Sequence, residues 1–381
     1  MEGLLRAFLA VLIGSVVAMG IPREIGREHR WVVAWEHTLD SEVADTATET
    51  LAESSKLYFP VETARRFFLV NSYTGDVIVT GFKTDVFLAS SRAMVNQSAD
   101  APRWAVQSWD GRMLRVVRRR GIPQLHGATL LQFDSESTVY GDLVTNGEQW
   151  HLDLPRNPTV YHLADDGAGT QWFAVGTVGG TVVVTDGPGG KEWVYTREFE
   201  PDTATTPAIY GIHVAATERS ADPVLRLPSV YIVHSLAPQA VTRLDLEDTG
   251  EVAEVGIGEI PDEYAGPGPR SIVQLGQDLL VVGLDGALFV ARLRTEDHTT
   301  IPVTGLSSLY GLGRADNDLV VATGTGKTGS VIIVGAPDMS KIAHWELSDG
   351  SSKAWVYDRT LSESIVVVQH NRRLVGLEMS S

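Results

Sequence analysis

The chain contains no cysteine. Disulfides, thiol catalysis, cysteine-ligated zinc and a lipid-modified N-terminal cysteine are thereby excluded. The redox compartment stays open, because disulfides are optional in a chain large enough for a sizeable core. Positive charge is also scarce: 31 Lys and Arg stand against 48 Asp and Glu, a net charge of −17. Such a surface repels nucleic acid and anionic lipid, and no nucleic-acid partner is expected. Helix-period patterning is almost missing after Trp31; one acidic Ala/Thr/Glu stretch, Thr38 to Lys56, reads as a short helix or a loop. Long apolar runs are missing with one exception. Ala7 to Ile21 is an uncharged run of 15 residues, a length that suits a signal-peptide core and falls short of a membrane span. Ala18-Met19-Gly20 supplies small residues for cleavage, whereas Arg23, Arg27 and Arg30 favour retention as an anchor. Residues 1–21 are therefore expected to be a signal peptide or a membrane anchor. The remainder is expected in the periplasm or on the outer side of the inner membrane, with another envelope protein as its partner.

What the chain has is a repeat. A polar turn, a short apolar strand, a gap and a β-hairpin recur about eight times, most clearly from Ser271 to Leu293 and from Leu309 to Gly335. Hairpins are expected to start near Phe67, Trp104, Val139, Trp172, Val230, Leu279, Leu319 and Ile365, 33 to 58 residues apart. Blades of four strands run roughly 40–45 residues, and insertions such as Thr196 to Pro207 and the Pro-rich Asp262 to Arg270 explain the longer gaps. Inner strands are expected at Leu57–Phe59, Val86–Leu88, Leu130–Leu131, Val160–Tyr161, Ile209–Tyr210, Ile272–Val273, Leu309–Tyr310 and Trp355–Tyr357. The two ends of the chain match each other. Val32-Val33-Ala34-Trp35-Glu36 reads like the outer strand Ile342 to Leu347, and the chain stops soon after a third strand, Leu374 to Leu377. The expected fold class is all-β: one β-propeller over residues 31–381, with eight blades and seven as the alternative. An N-terminal strand from Trp31 to Glu36 would close the last blade and remove an exposed edge.

The segments Trp104 to Val117 (WAVQSWDGRMLRVV) and Val281 to Leu293 (VVGLDGALFVARL) share a strand, an Asp-Gly turn and a second strand. In this the chain resembles the WD40-like, YVTN and quinoprotein-like class of β-propellers. The Gly-His…Trp-Asp pair is absent. The Trp and Gly docking motifs of quinoprotein blades are incomplete, so no quinone is carried over and no cofactor is expected.

Local motifs give no reaction. Gly324-Thr325-Gly326-Lys327-Thr328 lacks both the upstream Gly and the following helix of a phosphate loop. Asp245 to Glu251 has Thr249 where a calcium ligand is needed and no flanking helices. No Gly-x-Ser-x-Gly elbow occurs. His126, His162 and His213 fall on or near inner strands, where convergence would allow a metal or a general base; separate packed roles are the simpler reading. Arg115 and Arg118-Arg119-Arg120 form the one basic cluster. It reads as a charged blade edge that blocks strand addition, or as a contact for an acidic partner or a lipid headgroup.

Turns between second and third strands share one face with the loops that enter the inner strands. That face is expected to carry Tyr73, Trp109, Asp110, Asp285 and Lys327, with Arg270 on an entering loop, and these six are the candidate binding residues. The expected function is a non-catalytic protein-binding scaffold of the cell envelope. The alternatives are a hydrolase or lactonase-like propeller with an axial metal, or a channel that binds a sugar or other small ligand. No catalytic and no metal-ligating residue is assigned.

Overall fold

The computed structural model describes residues 30–39 and, apart from short gaps, 58–380; residues 1–29 and 40–57 lie outside the described residues. The expected leader or anchor and most of the acidic Thr38–Lys56 stretch fall there. Among the described residues no helix is long and apolar enough to cross a membrane, and every regular element is a strand.

β1 (Arg30–Thr38) comes first. β2 (Tyr58–Glu62), β3 (Arg66–Asn71) and β4 (Val77–Phe82) make a three-stranded sheet. Six four-stranded sheets follow. They are β5 (Val86–Ala89), β6 (Met94–Gln97), β7 (Arg103–Gln107) and β8 (Met113–Arg118); β9 (Ile122–His126), β10 (Thr129–Phe133), β11 (Thr138–Leu143) and β12 (Gln149–Asp153); and β13 (Pro158–Asp165), β14 (Gln171–Thr177), β15 (Thr181–Thr185) and β16 (Glu192–Thr196). Then come β17 (Ile209–Ala215), β18 (Ser229–His234), β19 (Ala240–Leu246) and β20 (Val252–Glu259); β21 (Ile272–Leu275), β22 (Leu279–Leu284), β23 (Ala287–Arg292) and β24 (Asp297–Pro302); and β25 (Leu309–Asp316), β26 (Leu319–Gly324), β27 (Gly329–Gly335) and β28 (Ile342–Leu347). The last sheet joins β29 (Ser352–Asp358), β30 (Ser364–His370) and β31 (Arg373–Ser380) to β1. Among the described residues the strands thus form eight sheets, each antiparallel between chain neighbours.

The first strands of successive sheets lie side by side: β2 on β5, β5 on β9, β13 on β17, and β17, β21, β25 and β29 in turn. They form the inner ring of a propeller. Middle strands are covered on both faces by the neighbouring sheets, so β15 (TVVVT) is buried at every position and β14 at all but Gln171. Outer strands meet a neighbour on one face only. β12 (QWHLD) and β16 (EWVYT) accordingly alternate, with Trp150 and Trp193 turned inward and polar or small residues outward. Trp150 lies across its cross-strand partner Gly141, where an added Cβ would sit 2.1 Å from the indole.

The N-terminal strand closes the last sheet, as its sequence implied. β1 pairs antiparallel with β31 from Arg30↔Ser380 to Thr38↔Arg373. Trp35 then reaches into the first sheet. Its indole N–H donates to the Ser72 carbonyl (2.9 Å), and its ring lies 2.6 Å from where a Cβ on Gly75 would stand. Gly75 has φ 71°, a conformation that side-chain-bearing residues rarely adopt. Trp35, Leu39, Val61, Phe68, Val70, Val367 and Leu374 form one buried cluster across the seam.

Two strands were misread. Leu130 and Leu131 belong to β10, the second strand of its sheet, and the inner strand is β9, IPQLH. Pro123 reads as a strand breaker, yet an inner strand is an edge of its own sheet and tolerates a missing donor. The hairpin at Trp104 is β7–β8, the third and fourth strands, because the second strand, β6, has only four residues, MVNQ.

Candidate functional site

The misreading of β6 divides the expected binding face. In an up-and-down sheet successive turns alternate between the two ends. Tyr73, between β3 and β4, and Asp285, between β22 and β23, lie at second-to-third turns, and Arg270 precedes β21, so these three share one end. Asp110 lies between β7 and β8, a third-to-fourth turn, and therefore belongs to the opposite end. Trp109 and Lys327 lie outside the described residues.

The three residues at the shared end differ in availability. Tyr73 is 40% exposed on a turn held by Asn71, whose Oδ1 accepts from the Tyr73 amide (2.8 Å). Arg270 is not an exposed contact. Its side chain is 4% exposed, its Nη2 donates to the Gly266 carbonyl (3.0 Å) and its Nη1 lies 3.4 Å from Asp285. It clamps the Pro-rich segment before β21 to the β22–β23 turn, since a buried guanidinium needs such partners. At the other end, Asp110 forms its own turn: it accepts from the Ser108 hydroxyl and from the Arg112 amide (3.2 Å). Those bonds, the Ser108 bond first, hold its carboxyl below the usual carboxylate range.

A second cluster lies on the inner ring. His126, His162 and His213 sit on consecutive inner strands β9, β13 and β17. The His162 and His213 rings are 4.6 Å apart between centroids, and the His126 Nε2 is 3.0 Å from the Tyr161 hydroxyl. The Val214 amide donates to His162 Nδ1 (3.2 Å), which places the proton of a neutral His162 on Nε2. His213 Nδ1 is buried without a hydrogen-bond partner among the described residues. Burial lowers His126 and His162 to about 4 and takes His213 well below 6.5, with His126 adding to the effect on His162 and His162 to that on His213. These imidazoles are neutral at pH 7, the form that ligates metals. Among the described residues, however, no group of three or more His, Asp or Glu has metal-holding geometry.

A third feature gave only a partial sequence signal. Outer strand β8 exposes apolar side chains where other outer strands show mostly polar ones. Met113 (49%), Leu114 (40%), Val116 (50%) and Ile122 (69%), the last at the start of β9, are four of the six exposed large apolar residues among those described. The arginines around them are engaged unequally. Arg115 pairs with Asp142 (4.0 Å), Arg119 lies 5.5 Å over Trp104 and Arg120 lies 4.3 Å over Tyr140. Arg103 and Arg118 stand opposite one another across β7 and β8 and line a shallow cleft with Pro102 and Val116. Like charges in that position repel.

No protein-family model and no curated protein matches the chain. Solved structures do. The Saccharomyces cerevisiae protein Sqt1 superposes with TM-score 0.60 at 11% identity, over 94% of this chain and 98% of that one. The fold is a β-propeller. The computationally designed Ika8 protein (TM-score 0.58, 13% identity, 91% and 99% covered) and the Dos1 propeller (0.58, 9%, 91% and 95%) share it. Likeness at this identity describes architecture and carries no function.

Proposed function

We propose that this propeller is a non-catalytic scaffold that docks a partner protein of the cell envelope, after export by its N-terminal segment. The observation that supports it most is the run of exposed apolar side chains Met113, Leu114 and Val116 beside arginines on one outer strand, with Ile122 exposed at the start of the next sheet. Exposed apolar groups rimmed by charge mark protein contacts. Replacing Leu114 and Val116 by Ser removes nothing from the core. It is expected to leave the melting temperature within a few degrees and to abolish in-cell photo-crosslinks from position 122 to an envelope protein. Unchanged crosslinks would contradict the reading.

The contact between His162 and His213 favours a second reading, an axial site for a metal or small ligand. Metal analysis of protein purified without chelator, with melting curves in EDTA, separates the two. Stoichiometric metal and an EDTA-dependent drop in melting temperature support the axial site.

A further inference from the structure

Among the described residues the sheet β2–β3–β4 has three strands where the others have four. Only three residues, Lys83 to Asp85, separate β4 from β5, too few for a fourth strand and its turns, and among the described residues nothing pairs with the outer edge of β4. The next sheet round the ring is β5–β8, whose first strand lies against β2. Trp104 and Val117 are cross-strand partners and turn toward the following sheet, where they pack with Leu125, Leu130 and Val144. Side chains alternate along a strand, so the neighbouring pairs Ala105↔Val116 and Arg103↔Arg118 turn the other way, toward the three-stranded sheet. That face of β7 and β8 is apolar at Val116, half exposed, and cationic at Arg103 and Arg118, for which no carboxylate partner is found among the described residues.

We propose that the outer edge of β4 and the facing side of β8 form a docking cleft for an extended, acidic segment of a partner protein. The partner strand pairs its backbone with β4, places apolar side chains on Val116 and carboxylates against Arg103 and Arg118. Main-chain bonds supply affinity and alternate side chains supply selectivity, as in other strand additions. A chain of net charge −17 that places here two arginines with no carboxylate partner among the described residues selects an acidic occupant. The inference rests on the scaffold reading and names its partner's chemistry.

The test uses the full chain and a labelled synthetic peptide of alternating Val and Glu, read by fluorescence anisotropy. Binding is expected, weakened about tenfold or more in R103E/R118E and in high salt. The same peptide N-methylated on alternate residues keeps its side chains but loses strand pairing, and is expected not to bind. Equal binding of the N-methylated peptide would overturn strand addition and leave the scaffold reading standing. Failure of the Val/Glu peptide, with phosphatidylglycerol vesicles bound instead, would replace the protein partner by a lipid surface. A third arm changes Asp40, Glu42, Asp45, Glu49 and Glu53 to amides. Peptide binding that appears only in that variant would show the cleft filled by this chain itself and overturn the proposal, as would no binding by any variant.

Discussion

Gly141 shows how one absent methyl group holds a blade together. Trp150 can lie across β11 only because nothing projects from Gly141. Gly141→Ala would force the indole or the strand to move, at a cost of about 1–3 kcal/mol. Calorimetry should register it as a drop of several degrees in melting temperature, and an unchanged value would refute the contact. The inner-ring histidines act through protons instead of volume. Unfolded, they titrate near 6.5; folded, His126 and His162 titrate near 4, chiefly because burial disfavours the charged ring. Above pH 6.5 both states are neutral, and these groups leave stability unchanged. As pH falls from 6.5 toward 4, the unfolded chain takes up protons that the folded one refuses. Stability then declines by at most roughly 1.4 kcal/mol per pH unit per histidine. Denaturant titrations at several pH values should show this decline, and His162→Gln, which keeps an acceptor for the Val214 amide, should make it shallower. The same slope in the variant would show that His162 is not among the groups responsible.

Among the strands, β1 has the largest consequence for its size. It supplies the fourth strand of the last sheet and, through Trp35, the contact with the first. Trp35→Ala removes a buried ring and its hydrogen bond, a loss of about 3–5 kcal/mol. Hydrogen exchange in β31 should accelerate with it; protection equal to wild type would mean that the seam is held elsewhere. This strand was legible because Val32–Glu36 repeats the pattern of Ile342–Leu347 at the opposite end of the chain. β6 and β9 were not legible, for different reasons. β6 is four residues long with two polar ones, and β9 carries Pro123, which an edge strand accepts. The price of one misplaced strand was a whole face: because turns alternate ends, missing β6 moved Asp110 to the wrong end of the propeller. Arg270 was misjudged on different grounds, since sequence gives its charge but not the carbonyls of Tyr264 and Gly266 that surround it.

For the molecule as a whole, regularity explains most of the sequence and irregularity points to its use. Among the described residues seven sheets have four strands and one has three, and the next sheet exposes Met113, Leu114 and Val116 beside Arg103 and Arg118. Neither fact was visible in the sequence alone. The repeat count concealed the three-stranded sheet seen among the described residues, and strand alternation gave no direction to Val116 or Arg118 until the packing of Trp104 and Val117 fixed it. The most direct test is amide hydrogen exchange, read by mass spectrometry, with and without the bound Val/Glu peptide. Slowed exchange in both β4 and β8 is the expected result. Protection confined to the turns at Tyr73 and Asp285, or to the histidine-bearing strands β9, β13 and β17, would contradict it.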